Sequence, residues 1–330
     1  MRKFAALMHA RNMEFVRDRG NLFWNLLFPV FLVFGFSFAF SGGDDTLFKV
    51  GVIGNSEIAG GFLQESYLEK IPYEDTAFAL DKLRHHQLDM VINLQKSSYY
   101  INDGSAKGEV AERLFTSDGA LPFIRKEVSG EPIRYVDWFV PGVIGMNMMF
   151  SCIFGVGWII VRYRKNGVLK RLKATPVRAL EFVSAQLVSR LLIVLLTSIV
   201  VFAGTNIFLK FMMEGSYLNL LLITAVATIC MISFGLIFAA RIKSEELANG
   251  LMNLALWPMM AFSGVFFSLE GTPLLLRKLS RIFPLTHYIE AARAIMLDGA
   301  GLTEILPNMI VLIGMTALFL LVSSLLFKWE

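Results

Sequence analysis

WFVPGVIGMNMMFSCIFGVGWIIV (Trp138–Val161) runs for twenty-four residues without an Asp, Glu, Lys, Arg or His, and the next stretch, RYRKNGVLKRLKATPVR (Arg162–Arg178), carries seven Lys or Arg and no acid. An apolar run of this length matches the hydrocarbon thickness of a bilayer, which about 20 helical residues cross. Cations stacked against one end of such a run mark the side on which it stops. That junction decides the fold, and the rest of the chain is read outward from it.

Five more runs have the same character: Leu22–Phe40, Phe182–Leu209, Tyr217–Ala240, Leu247–Leu269 and Ile305–Phe327. Across all six the single charged residue is Arg190. The composition agrees, with 55% hydrophobic residues, 29 Phe and only 18% charged residues, against about 25% in an ordinary soluble domain. Mean hydropathy is +0.58. The expected fold is an α-helical polytopic membrane protein with six transmembrane helices. Twenty-one residues precede the first run, which is too long for a signal-peptide core and lacks a cleavage site. The two cysteines, Cys152 and Cys230, both fall inside apolar runs, which excludes a conventional zinc cluster and a disulfide framework.

Lys and Arg in short loops set the orientation. The N-terminal segment, the 162–178 loop, the 241–246 connection and the C-terminus hold 15 of them, against 5 in the loops opposite. Both termini and the 162–178 loop are therefore expected in the cytoplasm. Residues 41–137, with ten basic and sixteen acidic residues, are expected outside, since long translocated segments escape the rule. Three regions follow: an interfacial helix plus first span (1–40), an extracytoplasmic α/β domain (41–137), and spans two to six (138–330). In the first, Phe4, Leu7, Met8 and Phe15 are expected on one face and Arg2, Lys3, Arg11 and Asp18 on the other, as in a helix lying along the inner leaflet.

In 41–137, FKVGVIG predicts a strand, NSEIAGGFLQESYLEK a helix from about Glu57, and EDTAFALDKLRHHQ a second helix. DMVINL and SYYIND predict short strands, and Lys107 to about Arg125 a broken helix. His85 and His86 are adjacent, share no helical face and read as surface histidines.

No GxxxxGK[ST], HExxH or GxSxG motif occurs, so the chain carries no recognisable nucleotide-hydrolysis, zinc-protease or nucleophile-elbow chemistry of its own. Arg190 lies about 12 Å into its span if the helix starts near Phe182. It either reaches back to the cytoplasmic surface or faces a cavity or a subunit contact. Asn206, Asn249 and Asn253 can bond between helices. Residues 272–299, broken at Phe283–Pro284, fit a pair of half-helices that dip into the outer leaflet and return. Within this stretch Glu290 and Arg293 are spaced to pair. The basic loop itself reads as a short amphipathic helix ending before Pro176. It serves either to hold anionic lipid or to grip a moving partner.

Two stretches resemble the signatures of the membrane subunits of type-2 ABC exporters. One is RKNGVLKRLKATPVR, through Lys165, Gly167, Lys170, Arg171, Leu172, Thr175 and Pro176. The other is FPLTHYIEAARAIMLDG, through Pro284, Thr286, Arg293 and Gly299. The long segment after the first span is similar to the branch with an inserted external domain. The resemblance implies a permease subunit in the bacterial inner membrane, paired with a second copy or a close paralogue and docked on two cytoplasmic ABC ATPase subunits. Residues 165–176, including Leu169, would form the coupling helix. No cofactor would sit in this chain; ATP and Mg would be bound by the ATPase partner. The cargo would be an amphiphile, a drug-like molecule or a lipid. Arg190, Asn249, Asn253, Pro284, Thr286, Glu290 and Arg293 are the candidates for pathway or subunit contacts. An ion-coupled carrier or channel and a non-transporting membrane sensor are the competing readings.

Overall fold

The computed structural model describes all residues except 1, 40–47, 55–60, 66, 118–122, 131–132, 176–178, 243, 268–273 and 327–330. The chain divides into two compact units, one of residues 1–38 and 136–330 and one of residues 39–135.

The smaller unit is a five-stranded sheet in the order β2-β1-β3-β4-β5, with β1 Phe48–Ile53, β2 Leu68–Tyr73, β3 Met90–Asn93, β4 Ser98–Asn102 and β5 Ile124–Val128. β1 pairs parallel to β2 and β3, β3 antiparallel to β4, and β4 parallel to β5. Successive strand residues face opposite ways, so each central strand feeds two cores. Val50, Val52, Met90, Ile92, Tyr99 and Ile101 pack with Ala111 and Phe115 of helix α4 (Ala106–Ser117). Ile53, Val91 and Tyr100 pack with Ala79 and Leu83 of helix α3 (Thr76–Arg84). α3 starts where Asp75 accepts the Ala77 amide at 2.9 Å, a side-chain N-cap that satisfies a free helix donor.

Two expectations fail in this unit. The segment read as helical from about Glu57 has its start outside the described residues, and Leu68–Tyr73 is the edge strand β2. Likewise the helix expected to run to Arg125 ends at Ser117, and Arg125 lies in the strand β5. Both are edge strands with largely solvent-facing side chains, so neither carries the apolar alternation by which a half-buried strand is recognised.

The larger unit is helical: α1 Arg2–Arg17, α2 Arg19–Ala39, α5 Tyr135–Cys152, α6 Ile159–Lys165, α7 Val168–Lys173, α8 Ala179–Leu209, α9 Tyr217–Arg241, α10 Glu245–Phe262, α11 Leu274–Ser280, α12 Pro284–Asp298 and α13 Leu302–Leu326. A π-helical turn, Ile153–Trp158, joins α5 to α6. Among the described residues four helices are long and apolar enough to cross a membrane: Tyr135–Lys165, Glu181–Leu209, Tyr217–Arg241 and Leu302–Leu326. The remaining two apolar runs are also helical, as α2, with a shorter apolar stretch Asn25–Phe36, and α10.

Tyr135–Lys165 is the central helix, with most of its residues buried. α9 packs against it, bringing Gly157 and Gly235 close enough that a Cβ on Gly157 would lie 2.9 Å from the Gly235 carbonyl oxygen. α8 and α13 leave Leu196, Ile199, Val200, Ile310, Ile313 and Leu321 exposed. Such continuous apolar faces on helices of membrane-spanning length suit contact with lipid rather than water.

Candidate functional site

The basic loop is built on two anchors. Arg164, at the end of α6, donates to the carbonyls of Ile242 at 2.5 Å and Ala240 at 3.2 Å. It thereby covers carbonyls that the end of α9 leaves unpaired. Lys165 bridges to Glu245 at 3.5 Å and Glu246 at 3.9 Å on α10. Arg164 and Lys165 thus tie three helix ends together. Beyond them Gly167 takes φ +68, a left-handed conformation that costs glycine little, and reverses the chain into α7. Leu169 is 1% exposed and seats α7 against the body. Lys170 and Arg171 point outward, Leu172 is half-buried, and Thr175 is exposed with its hydroxyl donating to the Leu172 carbonyl at 2.6 Å. Pro176 lies outside the described residues. The loop therefore presents a cationic surface and one partly exposed leucine on a short, fixed helix.

A second constellation gathers where α1, the π turn and α8 meet. Arg190 is 2% exposed. Its Nη2 donates to the Ser151 hydroxyl at 2.7 Å and to the Ser151 carbonyl, and its guanidinium lies over the Phe15 ring, 5.6 Å from the centroid. The side chain does not reach the surface. Arg11, expected on the exposed face of α1, is instead 4% exposed. It donates to the Gly155 carbonyl at 2.8 Å and pairs with Glu14 at 2.8 Å. Glu14 also accepts from Tyr163, and Ser189 donates to Asn12 at 2.5 Å. Two guanidiniums thus converge on one turn of backbone. A π turn widens the helix and disturbs its regular ladder, which lets carbonyls accept from outside. Gly155 supplies the space, because a Cβ there would coincide with the Arg190 guanidinium.

The half-helix pair is held differently. Pro284 opens α12 at its first turn, where no amide donor is needed, and Phe283 precedes it in an extended conformation. Thr286, fully buried, donates to the Ser280 carbonyl at 2.6 Å and bonds the Ser263 hydroxyl at 3.0 Å. The break between α11 and α12 is therefore closed by side-chain bonds. Gly299 ends α12 at φ +68, and the Ala300 amide returns to the Ala294 carbonyl at 2.9 Å. The expected Glu290–Arg293 pair does not form. Arg293 donates to the carbonyls of Trp138 at 3.1 Å and Gly264 at 2.8 Å and stacks 3.5 Å from the Trp138 ring centroid, while Glu290 is exposed. The i,i+3 spacing permitted the pair, but the aromatic face and two carbonyls hold the cation better. Asn249 and Asn253 bond each other along α10 at 2.9 and 3.1 Å.

A cavity of about 660 Å³ opens beside the arginine cluster, lined by α1, α2, the central helix, α8 and α10. Its wall is mainly aromatic, from Phe15, Phe28, Phe150, Phe154, Trp158 and Trp257.

Comparison with known proteins bears on the whole chain. The model of the family described as "ABC-2 family transporter protein" matches residues 19–325. The inner membrane transport permease YhhJ of Escherichia coli is 26% identical over 197 residues, 58% of this chain and 52% of that protein. The probable multidrug ABC transporter permease YbhS of the same organism is 20% identical over 191 residues, 58% of this chain and 48% of that protein. ABC transporter G family member 20 of Dictyostelium discoideum is 28% identical over 180 residues, 53% of this chain and 24% of that protein. The chain spans about half the length of these two bacterial relatives.

Proposed function

The chain belongs to the ABC-2 family of transporter proteins, and from that premise we propose that it is the permease subunit of an ATP-driven exporter. It would work as a six-span protein with both termini in the cytoplasm and residues 41–137 outside. Two copies, or one copy and a close paralogue, would dock on two cytoplasmic ABC ATPase subunits in the bacterial inner membrane. ATP and Mg would be held by the ATPase, and this chain would supply the pathway for an amphiphilic cargo, drug-like molecule or lipid.

The observation that carries the reading is α7. It is short, seated by Leu169 and braced through Arg164 and Lys165, with Lys170, Arg171 and part of Leu172 turned outward. A helix that only held anionic lipid would need charge but no rigid seat, since each basic residue contributes about 1 kcal/mol near the surface wherever it floats. Fixed geometry suits docking into another protein. A carrier coupled to ions would call for a relay of buried acids, and of the described acids inside the larger unit Asp137 is the buried one, with its carboxylate accepting the Met212 amide at 2.9 Å.

The test is Leu172→Asp. It places a charge in the docking face while Leu169 keeps α7 seated, so membrane insertion is expected to be normal. Co-purification of the ATPase, or transport-coupled ATP hydrolysis, should fall severalfold. Unchanged complex formation with unchanged turnover would return the loop to lipid holding.

A further inference from the structure

Among the described residues, Arg190 is the apolar-span side chain with two buried donors left unmet by its surroundings. Its Nη2 is engaged, but Nε and Nη1 are buried with no acceptor among the described residues. Among the described residues no carboxylate pairs with it: Glu14 is taken by Arg11 and Tyr163. A buried cation with unmet donors costs several kcal/mol unless something satisfies them. The residue lines the 660 Å³ cavity, so an acceptor can come from what enters it. Charges around the cavity are Arg11, Arg162 and Arg190 against Glu14 and Asp18, an excess of one positive charge. The remainder of the wall is mostly apolar, with phenylalanine, tryptophan and methionine prominent, and carries Asn25, Asn147 and Ser151 as its uncharged polar groups. The volume falls within the about 300–1,000 Å³ of ordinary ligand sites.

We propose that this cavity binds an acidic amphiphile, with an anionic headgroup oxygen accepting from Arg190 and the hydrocarbon tail lying along the aromatic wall. The headgroup is a sulfate, phosphate or carboxylate; a cationic amphiphile meets the wrong sign at Arg190. The π turn is what makes the site. With no Cβ at Gly155, Arg190 is held through Nη2 by the Ser151 carbonyl and hydroxyl, and its Nε and Nη1 lie buried in the wall of the cavity. That the amphiphile is cargo rests on the exporter reading above; that it binds does not.

The test therefore uses the full-length permease alone, in nanodiscs of zwitterionic lipid, with no ATPase present. Trp158 and Trp257 line the cavity and report its occupancy. The probes are a bromine-bearing long-chain alkyl sulfate and the alcohol and trimethylammonium of the same chain. Quenching is taken as the difference from a Trp158→Phe/Trp257→Phe protein, which removes quenching from the bilayer at large. A charge-assisted hydrogen bond should make the sulfate bind about tenfold more tightly than the alcohol, and the ammonium more weakly than either. Arg190→Gln should bring the sulfate to the level of the alcohol, and Arg190→Lys should retain most of the preference. If Arg190→Gln fails to fold, the comparison of three headgroups on the wild-type protein still decides. Sulfate and alcohol binding within twofold of each other, or tightest binding by the ammonium, would overturn the proposal. Repeating the titration with phosphatidylglycerol in the disc identifies the source of the headgroup. Competition assigns the site to a bilayer lipid and its absence to a freely diffusing amphiphile, and either result supports an anion site. Loss of ATPase docking in the Leu172→Asp experiment would leave this result untouched.

Discussion

Gly155→Ala should destabilise the protein, against the ordinary preference of helices. In a helix interior alanine is favoured over glycine by about 1 kcal/mol. Here the added Cβ would fall on the Arg190 guanidinium, on Cζ, Nε and Nη2 together. The guanidinium must then leave Ser151 or the turn must shift. Forcing an extra carbon into a packed site costs about 1–3 kcal/mol. Detaching a buried cation from its acceptors costs about 3–5 kcal/mol when nothing replaces them. Partial relaxation toward the cavity lowers that sum, and with the propensity gain subtracted a net loss of about 2–4 kcal/mol is expected.

Arg190→Ala changes the sign. With the guanidinium gone the space beside Gly155 is free, and Gly155→Ala in that background should be neutral or stabilising by up to about 1 kcal/mol. The four proteins form a double-mutant cycle with an expected coupling of about 3 kcal/mol, at the high end for residues in contact. Unfolding of the full-length chain titrated with sodium dodecyl sulfate in mixed micelles, followed by tryptophan fluorescence, reads all four. An equal loss from Gly155→Ala in both backgrounds, or a gain in the presence of Arg190, would refute the packing argument.

Topology is open to labelling. In a protein lacking Cys152 and Cys230, both buried, cysteines at Arg113 (78% exposed) and at the exposed Thr175 should react with an impermeant reagent from opposite sides. Labelling of both from outside intact cells would reject the proposed orientation. In the external unit Asp89 accepts the Lys49 amide at 2.8 Å. Burial pushes its carboxyl above the ordinary 3.8, against the lowering effects of that hydrogen bond and of the Lys107, Lys49 and His86 charges. A raised native pKa means the folded state holds the proton more tightly, so the stabilisation is fully present below pH 3.8 and is lost as pH rises through the native value. Asp89→Asn keeps an acceptor and removes the charge. Amides of β1 should therefore exchange more slowly in the variant at neutral pH, with the difference closing toward pH 3.8. Faster exchange at neutral pH would show that the charge is favourable where it lies.

What the sequence made legible is what repeats along the chain. Uncharged runs of bilayer length, the 162–178 cations, the break at Phe283–Pro284 and the short apolar runs at Met90–Asn93 and Ser98–Asn102 are each a local pattern, and each has a counterpart in the helices and strands. The edge strands β2 and β5 were hidden because an edge with polar side chains on both faces has no apolar alternation to detect. Their pairing is supplied by neighbours distant in sequence, β5 by β4 and β2 by β1.

The arginine cluster was hidden for a different reason. Helical periodicity sorts residues into faces but does not say which face finds a partner, and it put Arg11 outward on charge alone. Arg11 is buried because Gly155, 144 residues away, offers an unencumbered carbonyl, and no local pattern announces that acceptor. Two signals did exist in the sequence: a lone cation inside one apolar run, and closely spaced glycines, Gly155 and Gly157, inside another. A buried guanidinium needs acceptors, and in a helical bundle spare acceptors come from hydroxyls, helix ends and irregular turns. A glycine pair beside a serine, as at Ser151–Gly157, is where such a turn and such a hydroxyl coincide. The same logic explains Arg293, which passes over Glu290, one turn away, for two carbonyls and a tryptophan face. In both cases the cation is placed by acceptors contributed by other segments of the fold, so charge alone does not assign it a role. Arg293 has its acceptors within the fold, whereas Arg190 keeps two donors unmet beside a cavity. That difference, rather than burial or charge, makes Arg190 the residue at which a ligand is to be sought.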